Sequence, residues 1–311
     1  MRLAQPENSA LGTRVGAPRG PVPNVAYRIG ETTFGLFGRD GMNVVVEPAL
    51  RDFLVDADAC DVRIEVEWAS ELTVPSVAPS FHSGGLWSVY GVASGLQFCF
   101  TTPILGPAPY KAAWFDGNFT TGRVALHRKY FHTNGPVYPM EYPLDELLMI
   151  HRLSRGEGVE VHAVGVVDET GCGHLFLGHS GAGKSTTARL WREMSGARIL
   201  SDDRIILRSD RGAIWMYGTP WHGDAGVASP GCAPLSRMYL LEHAASNEFV
   251  PMQRTQAAAE LFARSFVPHY SAAGLEFTLS FLDSVAQRTP CSLFRFVPDS
   301  SAVEAICNAG A

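Results

Sequence analysis

The stretch Gly178-His179-Ser180-Gly181-Ala182-Gly183-Lys184-Ser185-Thr186 constrains this chain more than any other. It fits G-x-x-x-x-G-K-[ST], a loop whose backbone N–H groups point inward and cradle phosphate oxygens. Gly178, Gly181 and Gly183 permit the tight turn. The run Cys172-Gly173-His174-Leu175-Phe176-Leu177 ahead of the loop predicts a short buried strand, and residues 185–192 after it predict a helix. Strand, glycine loop and helix in that order are the context the motif requires. The helix adds the positive end of its dipole to the loop amides. Lys184 supplies a point charge for the outer phosphates, and the Ser185 hydroxyl a ligand for Mg²⁺. Lysine occurs only at positions 111, 129 and 184, so its presence at the position the motif demands is informative.

A phosphate loop also needs a metal-holding acid at the end of a nearby strand. Asp202 and Asp203 stand where the apolar strand over residues 197–200 stops. Neighbours on an extended chain point opposite ways, so the two can divide the work. One holds Mg²⁺, directly or through water; the other accepts a proton from an incoming hydroxyl. His162 lies on a strand over residues 159–167, joined to the loop strand by a turn over 168–171. So tight a connection predicts antiparallel pairing. A histidine there either orients a phosphate and assists proton transfer or is structural. The segment Gly218-Thr219-Pro220-Trp221-His222-Gly223-Asp224 either closes over the acceptor or is only a turn.

The rest of the chain sets the frame. Its 311 residues suggest two domains. Residues 1–24, rich in proline and glycine, are expected to be a flexible tail. Residues 25–157 form a β-rich unit of short runs, at 32–37, 42–47, 62–67, 86–90, 96–100, 112–115 and 123–126, expected to pair antiparallel. Within it, residues 61–67 alternate polar and apolar, and Trp68, Trp87 and Trp114 are expected in the core. An amphipathic helix is expected over 143–153, then the loop-bearing unit over 158–311, with later helices at 255–266, 275–287 and 300–308. A net charge of −6 argues against a general nucleic-acid binder. No apolar stretch predicts a membrane span, no secretory signal is expected, and six scattered cysteines suit a reducing compartment, so the expected location is the cytoplasm.

Taken together, His162, the loop 178–186 and Leu200-Ser201-Asp202-Asp203-Arg204 resemble the catalytic domain of HPr kinase/phosphorylase and its serine-kinase relatives. The resemblance covers roughly residues 159–311; the β-rich half lies outside it. It implies an α/β fold: a P-loop kinase domain of the HPr kinase/phosphoenolpyruvate carboxykinase type, with a mixed sheet, preceded here by the β-rich N-terminal domain. It implies transfer of the ATP γ-phosphate to a serine hydroxyl of a protein or peptide, with ATP and Mg²⁺ required. By the same resemblance His162 corresponds to the catalytic histidine, and Lys184 and Ser185 to the loop lysine and metal-holding serine. Asp202 corresponds to the base and Asp203 to the acid nearer the metal, an order that the residues themselves leave open. A homo-oligomer stays open as well. The alternatives are a small-molecule kinase and a non-catalytic ATP-binding switch or scaffold.

Overall fold

The computed structural model describes residues 22–194 and 196–310. The tail expected over 1–24 therefore lies, up to residue 21, outside the described residues. The first half contributes strands β1 (Val25–Ile29), β2 (Thr32–Gly38), β3 (Val62–Ala69), β4 (Phe81–His82), β5 (Trp87–Val92), β6 (Gly95–Thr102), β7 (Gly106–Asp116) and β8 (Thr121–His127). Helix α1 (Leu144–Leu153) follows. The second half runs β9 (Val159–Val167), β10 (Gly173–Leu177), α2 (Lys184–Arg192), β11 (Arg198–Ser201), β12 (Arg204–Asp210), β13 (Ala213–Gly218), β14 (Cys232–His243) and β15 (Glu248–Pro251). It ends with α3 (Arg254–Phe262), β16 (Ser265–Phe266), α4 (Ala272–Arg288), β17 (Cys291–Phe296) and α5 (Ser300–Gly310). The architecture is mixed α/β, built on two large mixed sheets.

The first sheet runs β1-β2-β3-β8-β7-β6-β5-β4. It is not wholly antiparallel as expected: β3 lies parallel to both β2 and β8. The chain leaves β2 through a long excursion over residues 39–61 rather than a hairpin, and a crossover of that length permits parallel return. Residues 42–47 are not a strand; Val44 makes only a single bridge to Val137. The alternation in β3 does partition as the pattern requires, with Val62, Ile64 and Val66 fully buried and Glu65 and Glu67 paired outward with arginines. Trp68, Trp87 and Trp114 are each only half-buried.

Helix α1 is not amphipathic in its setting. Acidic Asp145 and Glu146 are buried along with Leu144, Leu147, Leu148 and Met149. A helix buried on all sides is an interior helix. Here it packs in a core that also takes Ile206 and Tyr217 from the second half.

In the second sheet β10 pairs antiparallel with β9, as the short turn between them dictates, and parallel with β14. Strands β9, β12, β13, β14 and β10 close a circuit of pairings. Its interior is the core of Val161, Ala163, Ile205, Leu207, Met216 and Met238. Helices α2 and α5 cover another face through Trp191, Val303 and Ile306 against Phe176, Tyr239 and Phe296. The helix expected over 255–266 stops at Phe262, because Ser265 and Phe266 pair with the edge of β9 instead. Among the described residues no helix is long and apolar enough to cross a membrane.

Candidate active site

The loop leaves β10 at Leu177 and enters α2 at Lys184. Gly183 caps α2 with φ +99°, a left-handed conformation that disfavours any side chain. A Cβ there would lie 2.6 Å from Phe296 Cζ and 3.0 Å from His243 Cε1. Gly181 is also left-handed, with φ +81°, but opens onto free space. The loop closes on itself where the Ala182 N–H donates to His179 O at 3.1 Å. At Gly178 a Cβ would come within 2.7 Å of the Ala182 Cβ. The sequence pattern therefore produces a loop wound tightly enough for only glycine to serve at 178 and 183.

Lys184 is buried, and its ammonium donates to Gly178 O at 2.9 Å and His179 O at 3.2 Å. Burial lowers its pKa; nearby Asp203 opposes that, while Arg264 and Arg204 add to it. Ser180, Gly181, Gly183, Lys184, Ser185 and Thr186 line a cleft of about 530 Å³. Gly178 and Ala182 form the closure behind it, and His179 turns its Nδ1–H to Ser180 O at 2.6 Å. The same cleft is lined by His162, Asp202, Asp203 and Gly223.

The two aspartates differ sharply. Asp202 is 2% exposed, and its carboxylate accepts three backbone N–H bonds: Gly223 and Val227 to Oδ1 at 3.0 and 3.3 Å, and Ala225 to Oδ2 at 2.7 Å. It is the anchor of the segment over residues 223–227. Three of its lone-pair sites are thereby given to that loop, while the carboxylate still borders the cleft. Asp203 pairs with side chains instead. His162 Nε2 donates to its Oδ1 at 2.9 Å, and an Arg204 guanidinium N–H donates to its Oδ2. Burial alone would raise the Asp203 carboxyl, but the His162 hydrogen bond and the charges of Arg204 and Lys184 outweigh it and hold the carboxyl below the usual range.

The segment over 218–224 is not a free turn. Thr219 donates its hydroxyl to Arg204 O at 2.8 Å, Ser201 donates to Trp221 O at 3.0 Å, and Trp221 Nε1 donates to Asp145 Oδ2 at 3.0 Å. Gly223 sits so close over the aspartates that a Cβ would lie 3.2 Å from Asp202 Oδ2.

Three contributors escape sequence reasoning. Arg189 lines the cleft one helical turn after Ser185, a spacing that places both on one face. His243 lines it from the end of β14, its ring stacked 5.0 Å from that of Phe296. The carboxyl end of a parallel strand beside the loop strand is where α/β sheets bind ligands, so β14's neighbourhood to β10 was the missing signal. Arg204 carries no motif signal beyond its place after the aspartates.

As a donor set the cleft fits a nucleotide and a hard cation. It combines the glycine-loop backbone, the buried ammonium of Lys184, the Ser185 hydroxyl and the carboxylates of Asp202, Asp203 and Asp224. Mg²⁺ takes few protein oxygens and completes its shell with phosphate and water, so a hydroxyl and a carboxylate suffice. No family model matches the chain, and no curated protein does. Among solved structures it is similar to the Hpr(Ser) kinase/phosphatase from Coxiella burnetii, with 13% identity over 49% of this chain and 95% of that one, at a TM-score of 0.29.

Proposed function

We propose that this chain transfers the γ-phosphoryl group of ATP to a hydroxyl acceptor, a serine of a protein or peptide. The observation that carries the reading is one cleft bordered by a glycine-wound loop with Lys184 and Ser185 on one side and the His162–Asp203 pair on another. Loop amides and Lys184 hold the outer phosphates and stabilise the charge that spreads over the transferred group. Ser185 and Asp203 are the residues that would hold Mg²⁺, which supplies neutralisation of phosphate charge when bound. His162, its Nε2–H fixed by Asp203, presents the other ring nitrogen to the acceptor hydroxyl and takes its proton. Asp202 keeps the 223–227 segment folded over the site.

The reading is tested with γ-labelled ATP, Mg²⁺ and an extract as acceptor pool, comparing wild type with Lys184→Ala and Asp203→Asn. Label on a protein band that both variants lose supports it. Label on a free metabolite points to a small-molecule kinase. ATP bound but left intact points to a switch, and equal labelling by all three proteins ends the assignment.

A further inference from the structure

Glu160 is 0% exposed on β9, and among the described residues neither of its carboxyl oxygens has a hydrogen-bond partner. The nearest cation, Arg204 Nε, stays 3.5 Å away. A carboxylate this buried and this poorly paired cannot keep its charge, so it takes a proton. Another acid, Glu146, is close by, and burial together with that neighbouring charge holds the Glu160 carboxyl well above the ordinary glutamate range. Glu146 reaches in from the first turn of α1, outside the loop-bearing half, and accepts from Arg204 Nε at 2.7 Å. The Arg204 guanidinium is thereby fixed on three sides. Glu146 takes its Nε–H, Asp203 takes a terminal N–H, and the Phe266 ring lies 4.2 Å from its central carbon. Phe266 is there only because β16 pairs with β9.

We propose that Glu146 is a positioning residue of the phosphotransfer site: by accepting from Arg204 it holds that guanidinium against Asp203 and so sets the His162–Asp203 pair. The proposal rests on the kinase reading above. Glu146 occupies only the Nε–H of Arg204, leaving the rest of its guanidinium free to pair with Asp203. The β-rich half thus contributes to the site through α1.

The arrangement makes the two glutamates unequal, and that asymmetry is the test. In Glu160→Gln a neutral amide of the same shape stands where no hydrogen bond to Arg204 is made, so turnover stays within about twofold of wild type. In Glu146→Gln the charge opposite Arg204 is gone, so turnover falls about tenfold or more while ATP affinity holds. Glu146→Asp, which keeps the charge, recovers part of that loss. The independent readout is the Arg204 side-chain Nε–H resonance in ¹⁵N NMR. It is slow to exchange with water in wild type and Glu160→Gln, and fast in Glu146→Gln. Equal effects of the two Gln variants on turnover and on that resonance overturn the proposal, as does a larger effect for Glu160→Gln. If wild type transfers no phosphate, the kinase reading fails while the resonance still decides the clamp. If Glu146→Gln only lowers the melting temperature, with turnover per folded molecule and the resonance unchanged, Glu146 is merely structural and the proposal is overturned.

Discussion

Replacing Asp202 with Asn separates an anchoring role from a chemical one. The carboxylate accepts from Gly223, Ala225 and Val227, alternate residues of one segment turned toward one side chain. An Asn side chain has one acceptor oxygen. Turned toward Gly223 and Val227, it sets its NH₂ against the Ala225 N–H that now sits 2.7 Å from Oδ2. One charge-assisted bond, about 1.5–3 kcal/mol, is lost, and a part-buried donor faces another donor. With Asp202 2% exposed, solvent offers little compensation. The sum is about 3 kcal/mol, taken mostly as local opening of residues 223–227. Hydrogen exchange at the Ala225 and Val227 amides would then accelerate roughly a hundredfold, at about 1.4 kcal/mol per decade. The Asp203→Asn variant, measured alongside, leaves those amides protected and loses turnover. If Asp202→Asn exchanges within about threefold of wild type yet loses turnover, the carboxylate acts on the chemistry and the anchoring argument fails.

Other outcomes follow from the same geometry. Gly183→Ala combines left-handed strain of about 1–2 kcal/mol with a Cβ forced to 2.6 Å from Phe296, so a melting curve should show it less stable than Gly181→Ala, where only the strain applies. Lys184→Ala should weaken ATP binding about tenfold or more in a direct titration; an unchanged affinity would remove the ammonium from the phosphate site. Buried His151 donates to Leu147 O at 2.6 Å, its other ring nitrogen meets the Tyr270 hydroxyl, and burial pulls its pKa down to about 4. Its contribution is therefore whole above pH 6.5 and is lost as pH falls toward about 4, amounting to about 3 kcal/mol. Asp145, which burial pushes up to about 6, acts in the opposite sense and regains stability on acidification. Urea melts at pH 7 and 4.5 should therefore show His151→Phe losing less stability than wild type; equal losses would refute the linkage.

The glycine loop over residues 178–184 is legible in the sequence because its contacts are local. Gly178 meets Ala182, and Lys184 bonds the carbonyls of residues five and six positions earlier. The antiparallel pairing of β9 with β10 is legible for the same reason, since a turn this short permits no other. The strict alternation of β3 announces its buried face. The parallel neighbours of β3 are not announced, because register across a long excursion depends on which strand arrives to pair. Nor is the end of α3 at Phe262, where an open edge of β9 outcompetes helical propensity for Ser265 and Phe266.

The division of labour between Asp202 and Asp203 shows where sequence stops. Side by side in the chain, they are equivalent by composition and context, and only alternation says that they face apart. What separates them is contact with distant residues. Asp202 is claimed by amides 21 to 25 residues away, whereas Asp203 is held between His162 and an Arg204 that Glu146 grips from 58 residues upstream. The sequence alone determined that a glycine-wound loop would lead into a helix with Lys184 at its start, because that geometry lies within a few consecutive residues. Which acid is tied to backbone amides, which is paired with His162 and Arg204, and that α1 reaches into the cleft's surroundings were decided only by tertiary structure, since each rests on a hydrogen bond between segments that no local pattern brings together.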